Sequence, residues 1–470
     1  MASTTLVAWT DEECERIHDA TLTVLRDVGV DVKYEPAIEA LRELGARVEG
    51  QRVFLDEALV ARALETAPSR WEVQARSAQG TGLILDNDHS YFGTGSDCLY
   101  FADPAEGRRR VRLPDVEAMA ALCEKLEAID FVMSMGLPED VPRSIDDLAP
   151  VAAMLRNTSK PIVVAPRDGG AVPVISEMAA ACGERRSIAI YAMPSPPLMH
   201  DADALSKLIA CAELEVPVIY APAPAAGASA PATIAATVIV GNAEVLSGLV
   251  VHQGVRPGAP FVYGAGYSAL NMRTMVDCYA VPEHFRGNQA GCDLARHYAL
   301  PSFSYAAVSD SKVLDEQCAA EYGMTTILGA LSGATLLHDV GYFESGLQSS
   351  LDSIVLGAEL IGWARGFTRK LALDDWALAL DEIALVGPGG NHLARSFTRQ
   401  HYGDVWRSTL LDQVAHDRWH SSGAQTLKQR LRERTSTLTE EPRAFQIEPA
   451  ACDQLAILLA AAGRERESDE

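Results

Sequence analysis

The sequence predicts an α/β protein centred on a (β/α)8 TIM barrel, with an N-terminal helical plus small antiparallel β extension and C-terminal helices. Short apolar runs recur eight times from about residue 130, each closed by Gly, Pro or a polar cluster. They are rich in Val, Ile, Ala, Tyr and Phe without clean alternation, which marks strands of a parallel sheet buried on both faces. Helix-like stretches separate them, and eight such units over about 260 residues match the count and length of a barrel. A doubly wound sheet usually stops at five to seven strands and ranks second.

Residues 1–110 form the extension. Glu12–Val28 has helical periodicity, and Pro36–Leu44 and Asp56–Ala67 read as two further helices. Trp71–Arg76, Gly82–Leu85, Ser90–Gly93 and Cys98–Phe101 read as a small antiparallel meander with turn residues between them. Residues 111–400 hold the barrel. Its expected strands are Phe131–Gly136, Pro161–Pro166, Ile188–Pro194 and Pro217–Pro222, followed by Pro260–Gly266, Ser302–Val308, Ala334–Gly341 and Glu382–Gly387. Ala202–Leu214, Ala232–Val255 and Leu314–Leu331 are examples of the helices between. Residues 401–470 read as helices that end in a charged, fraying tail, Arg464–Glu470.

Composition narrows the function. The chain has 64 acidic residues against 40 Lys and Arg, a formal charge of -24, whereas a phosphate-binding surface needs an excess of Lys and Arg. Nucleic acid is therefore not expected as a main partner. No run of 18 apolar residues is present, and Met1–Glu12 lacks the basic-then-apolar order of a secretory signal. The nine cysteines are scattered without any Cys-x-x-Cys. Together these features read as a cytoplasmic protein with reduced thiols and no membrane span.

Barrel chemistry gathers at the carboxyl ends of strands. There the sequence places Tyr191, Tyr220, Tyr263 and Tyr305, four of only 13 tyrosines. A ring of aromatics suits a quaternary ammonium, whose charge cannot be hydrogen-bonded but is attracted to π faces at ~0.5–2 kcal/mol each. The plain alternative is that strands favour tyrosine. Gly387, Gly389 and Gly390 precede Asn391 and His392, and their backbone N–H groups can cradle an anion or simply make a tight turn. The seventh run carries His338, Asp339, Tyr342, Phe343 and Glu344. Lys312, near Asp310, is a candidate for a Schiff base, with an ion pair as the alternative. His416 and His420 have i, i+4 spacing but no third ligand, so no metal is expected. Gly264–Ala269 matches a dinucleotide fingerprint but lacks the acidic residue about 20 positions on.

Ser309-Asp310-Ser311-Lys312-x-x-Asp315-x-Gln317, Gly329–Ala334, Gly341–Gly346, Val386–Leu393 and Gly93–Gly95 together resemble the trimethylamine methyltransferase family, over about residues 10–440. The resemblance implies a barrel that demethylates methylated amines. It delivers the methyl to the cobalt of a separate corrinoid protein and binds no cofactor itself. Family members that act on trimethylamine carry pyrrolysine. This sequence contains only standard residues and resembles the branch without it, whose substrates are quaternary amines such as glycine betaine, proline betaine and carnitine. Conversion of glycine betaine to dimethylglycine is the expected reaction. Tyr191, Tyr220, Tyr263 and Tyr305, with Tyr342 and Phe343, would hold the ammonium. His338, His392, Asn391 and the Gly387–Gly390 amides would donate to a carboxylate, and Glu344 would add negative charge. Tetrahydrofolate is the alternative acceptor, with Asp310 or Asn391 placed to serve it. A Schiff-base lyase or aldolase using Lys312 is the second alternative. Self-association as a homo-oligomer is also expected.

Overall fold

The structure, a computed structural model, describes residues 5–77 and 80–469; Met1–Thr4 of the expected signal-free terminus and Glu470 of the expected tail lie outside them. At its centre is a curled sheet of seven parallel strands. These are β1 (Tyr91–Phe92), β2 (Ile162–Val164), β3 (Ile188–Ala192), β4 (Val218–Tyr220), β5 (Phe261–Gly264), β6 (Ser302–Tyr305) and β7 (Leu336–His338). Their order in the sheet is β1-β7-β6-β5-β4-β3-β2. Two parallel bridges, Gly93 with Phe131 and Val132 with Ile162, join the two edges to the same pair of residues. Val132 donates to the Pro161 carbonyl and accepts from the Val163 N–H, both at 3.0 Å. The first expected strand is therefore reduced to this pair.

Two strand expectations are overturned. Glu382–Gly387 is not a strand but part of a helix, Leu380–Val386, which ends where Gly387 takes φ +66°. Its Leu and Ala content favours helix, and its exposed position denies it the two-sided burial that would hold an apolar run in a parallel sheet. Nor do the N-terminal runs form a meander. Trp71–Val73 pairs with Leu83–Leu85, and Tyr100–Asp103 pairs with Gly107–Arg110, both antiparallel. The run between them instead supplies β1, which pairs with β7 in parallel.

Eight helices cover the sheet. They are α1 (Leu113–Lys125), α2 (Ala149–Asn157), α3 (Ala171–Ala181), α4 (Ala202–Leu214), α5 (Ile234–Val255), α6 (Pro282–His297), α7 (Glu316–Ser332) and α8 (Leu351–Thr368). Long α5 carries no amphipathic stripe because neighbours surround it: the N-terminal helices Asp11–Thr23, Glu35–Glu43 and Glu57–Thr66 all pack on it. Among the described residues it is one helix long and apolar enough to cross a membrane, and 72% of its most apolar window is buried in the fold.

Strand parity divides the core in two. Val163, Ala189, Ile219, Val262, Phe303 and Leu336, with Phe131 and Met133, form one cluster inside the curl. Residues of opposite parity, including Ile190, Val218, Tyr220, Phe261 and Tyr263, belong to the larger cluster between sheet and helices. Past α8 the chain forms short helices to Ser421, then Leu427–Glu440 and Pro449–Asp469. The expected frayed tail continues the last helix, where Arg466 is paired with Asp147.

Candidate active site

Two residues beyond the inner cluster, each strand presents its last inward side chain at the carboxyl edge. On β3 this is Tyr191, on β6 Tyr305 and on β7 His338, two positions after Ala189, Phe303 and Leu336. His338 is the hub. Its ring lies face to face with Phe303, centres 4.0 Å apart and 12° from parallel, and 4.5 Å from Tyr305. Tyr191 stands 5.3 Å from Phe303 and 6.3 Å from His338. Tyr279, from the β5–α6 loop, closes the other side at 5.8 Å from Tyr305. Asp310 holds Tyr279 there by accepting the backbone N–H groups of Tyr279 and Ala280 at 2.8 and 3.0 Å.

Carboxylates complete the cluster. Asp339 accepts from His338 Nδ1 at 2.7 Å and sits at φ +66°, a strained setting for a non-glycine residue next to the sheet edge. A carboxylate can only accept, so Nδ1 carries a proton and directs it at Asp339. Asp97 follows β1. The Tyr342 hydroxyl accepts its N–H at 2.8 Å, lies 3.2 Å from its Oδ1 and donates to the Met135 carbonyl at 2.7 Å. Burial among protein atoms, reinforced by the Asp339 charge, pushes the Asp97 carboxyl up to about 6, while His338 opposes the shift. Burial likewise holds the phenols of Tyr191, Tyr279 and Tyr305 well above their ordinary range, so all three stay neutral.

The Asp97 side chain nevertheless remains accessible, and Tyr191, Tyr279 and Tyr305 are partly so, over a floor of fully buried Phe303 and Leu336. These groups line a recess. A cavity of about 230 Å³ is lined by Ser96, the residue before Asp97, with Ser134, Val163 and Arg167.

Several expected site residues lie elsewhere. Tyr220 and Tyr263 have the wrong parity and point into the helix layer. Tyr220 hydrogen-bonds His200 Nδ1 at 2.6 Å, and Tyr263 donates to Asn242 Oδ1 at 2.9 Å. Phe343 is buried in a separate cluster with Leu122, Cys318 and Tyr322. Glu344 is neutralised by a two-pronged pair with Arg108 at 2.8 and 2.9 Å. Lys312 is exposed and donates to the Asp310 carbonyl at 2.6 Å, so it is not a buried amine. Asn391, His392, Gly389 and Gly390 are exposed and Gly387 is half-buried, all on the segment beyond α8. With the Glu382–Gly387 strand gone, nothing places them at the sheet edge. Tyr191, Tyr305, His338 and Tyr342 do come together. Sequence reasoning gave no role to Asp97, Asp339 or Tyr279. Asp339 adjoins His338 and Asp97 lies just past the Gly93–Gly95 segment, which was the available signal.

An aromatic and carboxylate recess at the carboxyl ends of parallel strands defines an α/β enzyme. The model of the trimethylamine methyltransferase family (MTTB) matches residues 3–466, and the chain belongs to that family of methyltransferases. It is similar to the glycine betaine methyltransferase of Desulfitobacterium hafniense (strain Y51), with 29% identity over 97% of this chain and 97% of the relative. The trimethylamine methyltransferase of D. hafniense (strain DSM 10664 / DCB-2) is 28% identical over 93% of this chain and 90% of its own length. Among solved structures, the monomethylamine methyltransferase of Methanosarcina barkeri aligns with a TM-score of 0.53 at 11% identity, covering 100% of this chain and 89% of that one, a likeness of fold alone.

Proposed function

We propose that the chain demethylates a quaternary amine, with glycine betaine as the substrate and dimethylglycine as the product. The observation that carries this is the cluster at the carboxyl edge of the sheet, where the partly exposed rings of Tyr191, Tyr279 and Tyr305 stand with the Asp97 and Asp339 carboxylates about His338. Ring faces attract a permanent cation that offers no N–H to bond, and the carboxylates supply its counter-charge. His338 adds a further ring face between Phe303 and Tyr305. A carboxylate tail would extend toward the polar border formed by Ser96, Ser134 and Arg167.

The reaction is an in-line displacement. The C–N bond breaks with its electron pair left on nitrogen, giving a neutral tertiary amine, while the acceptor's electron pair forms the new bond to carbon. Because the leaving amine is neutral, the protein need not deliver a proton. Its contribution is to orient one methyl outward and exclude water. The nucleophile would be the reduced corrinoid of a separate protein. The loops after the strands fit such a partner, since they expose Leu137, Met193, Met272, Met275, Val313 and Leu347 around the mouth. Reading Phe131–Val132 as an eighth strand, joined to both sheet edges, makes the fold a (β/α)8 barrel with this mouth at its carboxyl end.

The test is spectroscopic. Purified enzyme, glycine betaine and a protein carrying reduced corrinoid should form methyl-corrinoid together with an equal amount of dimethylglycine. Dimethylglycine formed only with tetrahydrofolate would replace the acceptor. No turnover of betaine with either would remove the proposal.

A further inference from the structure

Between the end of α8 at Thr368 and Ser408, residues 369–407 leave the body of the protein as an arm. At its return the Trp406 ring packs beside Gly362 and Gly366 of α8, and Ser408 and Thr409 bond the Glu359 carboxylate. Between these anchors the described side-chain bonds are internal to the arm. Arg395 forms a two-pronged pair with Glu382, Trp376 Nε1 donates to His401, and Thr398 donates to the His392 carbonyl. The ring contacts of Trp376, Phe397 and His401 are likewise with one another.

An arm tied only to itself would be expected to show water a polar surface. This one does the opposite. Leu371 is 83% exposed and Leu393 82%, and Leu373, Leu380, Ile383 and Leu385 are each more than half exposed. Together with the arm's other exposed apolar side chains they present on the order of 1,000 Å² of apolar surface, in the range that a stable interface buries from each partner. Charge indicates what covers it. The whole chain carries -24, yet residues 369–407 hold five basic and five acidic residues and sum to zero. Two copies of so acidic a protein repel each other over most of their surface, and a neutral, apolar arm is the place where that repulsion is least. A basic partner, by contrast, would be drawn to the acidic body rather than to the arm.

We propose that residues 369–407 are the contact through which two copies of this chain associate, the arm of each copy being covered by the other around a two-fold axis. The proposal is independent of the reaction assigned above.

Sedimentation equilibrium or light scattering on the full-length protein at micromolar concentration tests it. The wild-type chain should give at least twice the 50.5 kDa single-chain mass. The double variant Leu371→Glu/Leu393→Glu should weaken association at least about tenfold and give the single-chain mass. Because the arm makes few bonds to the body, the variant should keep the wild-type circular dichroism spectrum and melting transition. A second, milder pair, Leu373→Ser/Leu385→Ser, should weaken association in the same direction and covers the case in which charged variants misfold. Hydrogen exchange should be slow over 371–393 in the wild type and fast in the variants. A wild-type protein of single-chain mass would overturn the proposal, as would folded variants that retain the wild-type mass.

Discussion

His338 and Phe303 stack with ring centres 4.0 Å apart on neighbouring strands, and the same imidazole is pinned through Nδ1 to Asp339 at 2.7 Å. One side chain is thus fixed by an aromatic face and a carboxylate at once, and Tyr305 at 4.5 Å rests on the assembly. Removing it should collapse the recess. His338→Ala is expected to weaken quaternary-amine binding about tenfold, from one lost aromatic contact and a loosened neighbour at ~0.5–1.5 kcal/mol each. His392→Ala, on the exposed arm, should stay within about twofold. Titration calorimetry with glycine betaine compares them, and equal losses in both would contradict the placement of the site.

The two pairs of tyrosines should separate cleanly. Tyr305→Leu removes a ring that faces the recess and is expected to cost ~0.5–2 kcal/mol of cation binding with little change in melting temperature. Tyr263→Phe leaves the buried Asn242 Oδ1 without the donor it has at 2.9 Å, a loss of about 1–3 kcal/mol in stability. Its effect on amine affinity should be small. Denaturant unfolding and binding measured on the same preparations give both values. A Tyr263 variant that loses affinity but not stability would put that ring back in the site.

Much of this was readable from residues alone. The buried runs after residue 160 became strands, because β-branched and aromatic runs of about six residues are too short for a core helix and satisfy their backbone by pairing with neighbours in a sheet. Tyr220 and Tyr263 were misplaced because position at a strand end does not reveal parity, and one residue's shift turns a side chain from the recess to the helix layer. Glu382–Gly387 misled because a short apolar run is the same pattern whether it is buried between layers or exposed on an arm. Asp97 was passed over for a different reason. Its place just past Gly93–Gly95 was a cue, but nothing in the sequence reveals that the fold sets Asp339 beside it.

Those two carboxylates predict a pH dependence. Asp97 is raised to about 6 in the folded protein, against an ordinary value near 3.9, so between those limits the folded state holds a proton that the unfolded state has released. Without ligand, this group alone makes the fold less stable as pH rises from about 4 through 6. A bound cation favours the ionised form. Amine affinity should therefore fall as pH drops below about 6, by up to tenfold per unit, with proton release on binding. Asp97→Asn should flatten the profile. Calorimetry between pH 5 and 7.5 in buffers of different ionisation enthalpy measures both, and a flat wild-type profile would exclude Asp97 as the counter-charge.

Gly95 gives the sharpest steric test. A Cβ added there would lie 2.1 Å from Asp339 Oδ1 and 2.4 Å from Tyr342 Cζ, far inside any real contact. Neither neighbour can yield cheaply. Asp339 is held by His338, and the Tyr342 hydroxyl is engaged with Asp97 and Met135. Gly95→Ala must therefore push apart the two loops that carry the carboxylates, an overpacking cost of about 1–3 kcal/mol. The fold can absorb that loss, but the recess cannot keep its shape. The variant should be folded by circular dichroism with a lowered melting temperature, and its methyl transfer should fall at least about a hundredfold, since misplacement on the order of 1 Å costs that much in positioned chemistry. Gly107→Ala serves as the control, because its Cβ would meet nothing within 4 Å and the only penalty there is backbone strain at φ +76°. If Gly95→Ala turned over at the wild-type rate, the loop after β1 would have no part in the active site.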